Sequence, residues 1–522
     1  MGTKSTGFGR LRVAAIVVAA AVATVVAAPI SQAASTVSNG CVTGVPDPGT
    51  TVPVQICYTI FRPESASSAN RVPVVFHSHG WGGSRTTAPE GFADFLGAGF
   101  GVLSFDQRGF GESGGVAQLE NPDFEGQDVQ RLVDVVAGLD WVKIQRPGDP
   151  VIGAIGGSYG GGYQFVGAFG ELRDRGATRF DALAPEITWH DLGESLAPQG
   201  VPRTLWALLL YAAGTPSAAN SQAATVGLVE ASATGNWPPS LAAFIAKNGP
   251  AWHVSQGRKL NIPVLFGQGE TDNLFPLDQG LKNFQRALTP GARARSIMVG
   301  YNGGHTLPSV LPMGAPDAAA FLAATAAGGL PTDDPCSKKL NNSNFRALSL
   351  RFFQEELQGK STGLVGRGLY HLATLGGRCL TLTDTAATKS VGLGSVVNTV
   401  GLGVPLHYPI ASGPITIAGT PTLDAKVTSL SLDSRLMLAL SVGTSPLDAR
   451  IVQNNMLPLR EPGIVLGKTR TGVELPSIAV DVPAGKHLYL TVSPFSDMSF
   501  GHGSRLPGAM ALSDVVVNLP VR

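Results

Sequence analysis

The run Gly156-Gly157-Ser158-Tyr159-Gly160-Gly161 sets one hydroxyl between glycines two residues away on either side, the Gly-x-Ser-x-Gly spacing of a nucleophile elbow. An apolar, β-branched stretch from Val151 to Ile155 leads into it, so the serine is expected on a sharp strand-to-helix turn. Such a turn strains the serine backbone, and the flanking glycines let strand and helix approach without Cβ clashes. A serine hydroxyl is a poor nucleophile near neutral pH. It needs a base, and the base needs a carboxylate that fixes its tautomer.

Both partners occur downstream, in the order serine, acid, histidine. Asp272 lies in the loop Gly267-Gln268-Gly269-Glu270-Thr271-Asp272-Asn273-Leu274-Phe275-Pro276, and His305 ends Tyr301-Asn302-Gly303-Gly304-His305. Each loop follows a candidate strand, at the end where ligands of open α/β sheets bind. Glu270 competes with Asp272 as the acid. His77, His79, His190, His253, His371, His407, His487 and His502 read as structural or surface groups. Acyl transfer also requires donors aimed at a developing oxyanion. The backbone N–H groups of Tyr159 and of Trp81, in His79-Gly80-Trp81-Gly82-Gly83, are assigned that task; the alternative for His79-Gly80 is a turn that only packs. Asp106-Gln107-Arg108-Gly109-Phe110-Gly111-Glu112-Ser113 reads as a loop fixed by pairing of its charges. No CxxC or His-rich spacing suggests a metal.

The elements that must position these groups follow from periodicity. Candidate strands at 72–77, 101–106, 151–155, 262–266 and 296–299 alternate with amphipathic or Gly-rich segments, the rhythm of parallel strands joined by crossover helices, hence an α/β fold. A helix is expected from Glu125 to Trp141. Residues 189–257 change to helical stretches without a strand and read as a helical cap inserted into a core of 34–188 and 258–360. A helix from about Ser343 to Leu357 closes that core. Beyond about Gly376, alternation of apolar residues (Ile415, Ile417, Pro421, Leu423 and Val427; Leu436, Leu438, Leu440 and Val442; Leu488, Leu490 and Val492) predicts an all-β sandwich or jelly roll over 376–522.

Lys4, Arg10 and Arg12 precede an uncharged Ala/Val run from Val13 to Ala28, and Ser31-Gln32-Ala33 supplies small residues for cleavage. Residues 1–33 therefore read as a signal peptide, with an uncleaved anchor as the alternative. Export would place the four cysteines in an oxidising compartment. The sequence-local pairing is Cys41 with Cys57, closing a hairpin, and Cys336 with Cys379, stapling the core to the β region; free buried thiols are the alternative. Lys plus Arg (38) balances Asp plus Glu (37), so no field recruits nucleic acid or an anionic membrane by charge alone. A small-molecule ester or peptide is the expected partner of a secreted or cell-surface protein.

The Gly-Gly-Ser-Tyr-Gly-Gly elbow, the preceding helix with Asp128, Asp134 and Trp141, the Asp272-Asn273-Leu274-Phe275-Pro276 loop and the trailing β region together resemble the X-Pro dipeptidyl-peptidase and cocaine-esterase-like hydrolases. That resemblance implies an α/β-hydrolase core with a helical cap and a jelly-roll domain. It implies cofactor-free action on esters, or on amides after an X-Pro dipeptide, with Ser158, Asp272 and His305 as the triad and the Tyr159 N–H as an oxyanion donor. Several family members use a tyrosine side chain as the second donor, where this chain has His79-Gly80-Trp81. An X-Pro peptidase must also bind the substrate ammonium, for which Glu186, Asp191 and Glu194 are candidates against a plain reading as solvated acids. Acyl transfer to an alcohol or sugar by the same triad is an alternative function. A catalytically silent surface protein that binds carbohydrate or cell wall through its β region is another.

Overall fold

The computed structural model describes residues 35–217, 219–307, 333–400, 404–499 and 508–522. The leader expected at 1–33 and most of the Pro/Gly/Ala-rich stretch after His305 lie outside them.

Ten strands form the first sheet, in the order β1-β2-β4-β3-β7-β8-β9-β10-β11-β12. At one edge, β1 (Thr36–Gly44) pairs antiparallel with β2 (Val54–Arg62), and β2 with β4 (Gly101–Phe105). The centre is parallel: β3 (Val74–Ser78), β4, β7 (Ile152–Gly157), β8 (Phe180–Glu186), β9 (Leu265–Gly269), β10 (Ile297–Tyr301) and β11 (Tyr370–Ala373). A short hairpin, β5 (Ile144–Arg146) and β6 (Asp149–Pro150), precedes β7, and β12 (Cys379–Leu382) closes the far edge antiparallel to β11. The central strands are short and apolar because both faces are covered. One face packs under α2 (Glu125–Ala137), α3 (Tyr159–Arg175) and α9 (Leu277–Arg286). The other packs under α1 (Ala93–Gly97) and the helix Phe345–Glu356, through Phe95, Leu348, Phe352 and Phe353.

The five expected strands are present, displaced by up to three residues. β8 was not expected, because Asp181, Pro185 and Glu186 interrupt its apolar pattern. The helix expected to reach Trp141 stops at Ala137, and Trp141 instead packs in the core. The charged loop after β4 is paired throughout. Arg108, fully buried, forms ion pairs with Asp128 at 2.8 Å and Asp47 at 2.8 Å, and Asp106 binds the Arg85 guanidinium and accepts from the N–H of Glu112 at 2.9 Å.

Between β8 and β9 the chain is helical: α4 (Leu192–Leu196), α5 (Thr204–Gly214), α6 (Gln222–Thr234), α7 (Pro239–Phe244) and α8 (Pro250–Ser255). After β12 the chain forms a sandwich of antiparallel sheets. A four-stranded sheet containing Thr422–Ser429 and Gly508–Leu519 faces a five-stranded one containing Ser434–Gly443 and His487–Ser493. Leu423, Leu438, Leu490 and Val517 fill the space between them. The alternating stretch 415–427 is two strands, not one: Ile415–Gly419 pairs with Ile478–Val482, while Thr422–Ser429 joins the four-stranded sheet. In Ser434–Gly443 both faces are buried, because Met437 and Ala439 pack on Val201, Ile451 and Met456.

Both cysteine pairs are bonded as expected, but Cys379 lies on β12 of the first sheet, so the second bond staples the core to its own edge strand and not to the β region. Cys41 and Cys57 are direct cross-strand neighbours, and Cys336–Cys379 ties a helix below the sheet to its terminal strand. Closing the 43-residue loop between Cys336 and Cys379 restricts the unfolded chain, so Cys336→Ser with Cys379→Ser is expected to lower the unfolding free energy by about 4 kcal/mol. Denaturant titration of the oxidised parent and the double variant checks this, and coincident midpoints would contradict it.

Candidate active site

β7 ends in Ser158, whose φ of 59° and ψ of −123° are strained for an L residue. The turn survives because a Cβ on Gly160 would lie 2.4 Å from the Ser78 carbonyl oxygen, a contact no other residue type tolerates. Ser158 N–H donates to the Glu186 carbonyl at 2.9 Å, which fixes the elbow against β8. Its side chain stands at the N-terminus of α3, where unpaired backbone N–H groups favour negative charge.

The acid and histidine loops meet at the ends of β9 and β10. Asp272 is 1% exposed and accepts four hydrogen bonds. The N–H groups of Leu274 (2.9 Å) and Phe275 (2.7 Å) reach Oδ1, while the N–H (3.0 Å) and ring Nδ1 (2.7 Å) of His305 reach Oδ2. Gly304, at φ +99°, permits this approach, since a Cβ there would sit 2.8 Å from the Asp272 Cβ. With Nδ1–H committed to the carboxylate, Nε2 of His305 is the ring's acceptor. Among the described residues neither Nε2 nor the Ser158 hydroxyl has another hydrogen-bond partner, and they are not bonded to each other. The His305 ring stands edge-on to Phe275 at 5.3 Å, and Phe275 shares a cavity wall with Ser158. Catalytic hydrogen bonds are often completed only when substrate fills such a site.

Glu270 takes a different environment. Gln453 of the β sandwich donates to it at 2.8 Å, and burial pushes its pKa well above the usual carboxylate range. Among the described residues it forms no hydrogen bond or ion pair with His305. Of the other histidines, burial lowers the pKa of His77 to about 3, His190 to about 4 and His253 to about 3, so these rings stay neutral.

The loop after β3 lies directly against the elbow: a Cβ on Gly80 would be 3.6 Å from that of Ser158. His79 holds the loop, with Nδ1 bonded to the Gly80 carbonyl at 2.8 Å and Nε2 accepting from Gln107 N–H at 3.1 Å. The N–H groups of Trp81 and Tyr159 have no acceptor among the described residues, and their rings meet edge to face at 5.0 Å.

Ser158, Tyr159 and Trp81 line a cavity of about 110 Å³ whose walls include Leu119, Trp189, Leu210, Trp237 and Phe275. No charged side chain lines it. The three acids considered for ammonium binding lie elsewhere. Glu186 is partly buried beneath the elbow; burial raises its pKa, against a Tyr301 hydroxyl donating at 2.7 Å. Asp191 caps α4 by accepting from Glu194 N–H at 2.9 Å, and Glu194 pairs with Lys282 at 2.6 Å.

Sequence reasoning assigned no role to Asn273 or Arg203. Asn273 N–H donates to the His305 carbonyl at 3.0 Å, and its side-chain amide binds Leu307 N–H (3.2 Å), Leu307 O (2.7 Å) and Trp206 Nε1 (2.8 Å). Arg203, buried and with its pKa pushed down by burial to about 10, bridges the Asn273 carbonyl (2.7 Å) and Asn455 of the sandwich (3.0 Å). The signal for Asn273 was its place beside Asp272. Nothing local marked Arg203.

Residues 53–306 match the family model described as X-Pro dipeptidyl-peptidase (S15 family). Among solved structures, a CocE/NonD family hydrolase from Staphylococcus aureus superposes with a TM-score of 0.63 at 13% identity, covering 93% of this chain and 97% of that one. An aminopeptidase from a marine sediment archaeon (Thaumarchaeota) gives 0.59 at 12%, covering 95% and 98%. An α-amino acid ester hydrolase gives 0.55 at 12%, also covering 95% and 98%. An uncharacterized 31.7 kDa protein of Escherichia coli is 33% identical over 102 residues, which is 19% of this chain and 34% of that protein. The chain thus spans about a third of that curated relative's length. The segment 53–306 is thus similar to the X-Pro dipeptidyl-peptidase (S15) family, and the chain as a whole shares the fold of the CocE/NonD family hydrolase.

Proposed function

We propose that this hydrolase is an exported esterase that works through an acyl-enzyme on Ser158. Ser158 Oγ attacks the ester carbonyl while His305 Nε2 takes its proton. The oxyanion receives the N–H groups of Trp81 and Tyr159, and Asp272 steadies the imidazolium. Collapse of the tetrahedral adduct breaks the C–O bond, and His305 returns the proton to the departing alcohol. Water then attacks the acyl-enzyme by the same route in reverse.

The observation that carries the choice of an ester is the uncharged, aromatic and aliphatic cavity at Ser158. An X-Pro peptidase must hold a substrate ammonium, and burying that charge without a partner costs several kcal/mol. Glu186, Asp191 and Glu194 are outside the wall and engaged with Tyr301, the α4 N-terminus and Lys282. An apolar acyl or aryl ester pays no such cost. The two disulfides suit an oxidising compartment.

A chromogenic apolar ester and an Ala-Pro anilide, assayed with the parent and Ser158→Ala, test the reading. The ester is expected to turn over, the anilide to be untouched, and the variant to lose on the order of 10³-fold or more in kcat. Preferential cleavage of the anilide would overturn the ester assignment. Asp272→Asn keeps the shape but turns an amide NH2 onto N–H donors of the buried site, so kcat is expected to fall by about 10⁴-fold and the unfolding midpoint to fall with it. A near-parental kcat would remove Asp272 from the triad.

A further inference from the structure

We propose that Trp206, in the first turn of α5, is a positioning residue for His305 and makes turnover depend on an acyl group that fills the cavity; this deepens the esterase reading and rests on it. Trp206 does not line the cavity. Its ring meets the His305 ring at 6.0 Å and 87°, so the imidazole stands against two aromatic neighbours, Phe275 at 5.3 Å being the other. The indole N–H donates at 2.8 Å to Oδ1 of Asn273, the residue after Asp272. That amide in turn holds Leu307, two residues beyond His305, by bonds of 2.7 and 3.2 Å. Arg203, three residues before Trp206, donates to the Asn273 carbonyl at 2.7 Å. The start of α5 therefore grips Asn273 by main chain and side chain, and through it the loops that carry Asp272 and His305.

The same helix reaches the other parts of the site. Ala207, Leu210 and Tyr211 line the cavity, and the Leu210 carbonyl accepts the Trp81 indole N–H at 2.7 Å. Trp81 is the residue whose backbone N–H is assigned to the oxyanion. Only Thr204 and Gly214, at the two ends of α5, are buried, and the side chains between them are half-buried or exposed. A helix supported in this way gains contacts when a ligand fills the cavity, because its inward side chains then pack on atoms instead of on empty space. An acyl group resting on Ala207, Leu210 and Tyr211 thus sets Trp206 and Trp81 together, and with them the imidazole and the oxyanion loop. Binding of the unreacting acyl chain then raises kcat, as in induced fit, and does not merely lower KM.

The test uses the full chain with Trp206→Leu and Trp206→Phe, on p-nitrophenyl acetate and p-nitrophenyl hexanoate, with rates expressed per active site titrated by a fluorophosphonate. The parent is expected to turn over the hexanoate with a kcat about tenfold above that for the acetate. Trp206→Leu should lower kcat on the hexanoate by about tenfold and leave KM within about twofold, since Trp206 is no part of the cavity wall. The acetate rate should fall less, so that the advantage of the longer chain shrinks. Trp206→Phe, which keeps a ring against His305 but lacks the N–H for Asn273, should fall between the parent and the leucine variant, and it carries the test if the latter does not fold. Fewer titrated sites at an unchanged rate per site would reduce Trp206 to a structural role, and a raised KM at an unchanged kcat would make it a wall residue. Equal kcat on both esters in the parent, or equal losses on both in the variant, would break the link to acyl binding. Each of these results overturns the proposal. A parent inert to both esters strikes the esterase reading instead; the positioning of His305 is then read from the rate at which the fluorophosphonate labels Ser158, expected about tenfold slower in Trp206→Leu and contradicted by equal rates.

Discussion

Asp272 has no freedom to move. Its carboxylate is out of water and gathers four N–H donors, two from its own loop and two from His305. A buried carboxylate short of donors would carry a large desolvation cost, so each bond that satisfies it also fixes a loop. One interaction therefore sets the acid loop, the imidazole orientation and the tautomer together. The close approach requires Gly304, and the same loops are bonded again through Asn273 to the carbonyl of His305 and to Leu307.

This junction is buttressed from outside the sheet. Arg203, in the segment leading into α5, reaches the Asn273 carbonyl and Asn455, while Gln453 reaches Glu270. The β sandwich thus contacts the acid loop on either side of Asp272, and Met437, Ala439, Ile451 and Met456 close over Val201. Leu119 and Glu120, both at positive φ, turn the chain beneath the cavity so that Leu119 joins its wall. The cavity at Ser158 is then walled mainly by aromatic and aliphatic side chains, with no charged side chain among them.

Much of this arrangement is legible in the sequence where local geometry dictates residue type. The elbow can be read because its strained turn admits only glycine at positions such as Gly160, and the central strands because burial on both faces demands continuous apolar runs. β8 escapes the same reading: Asp181 and Glu186 break the pattern, although their side chains find partners in the fold. Asp191 and Glu194 show the converse limit. Their type and position near the site suit ammonium binding, but one caps α4 and the other pairs with Lys282. Arg203 and Gln453 are beyond sequence reasoning, since their partners lie far along the chain and only tertiary packing joins them.

The central claim is that Ser158 is made nucleophilic by His305 held on Asp272. Reaction of the intact protein with a fluorophosphonate, followed by proteolysis and mass spectrometry, tests it most directly. The account predicts one phosphonylated peptide, modified at Ser158, whose labelling rate collapses in His305→Ala. An unlabelled Ser158, or labelling at the same rate without the imidazole, would contradict it.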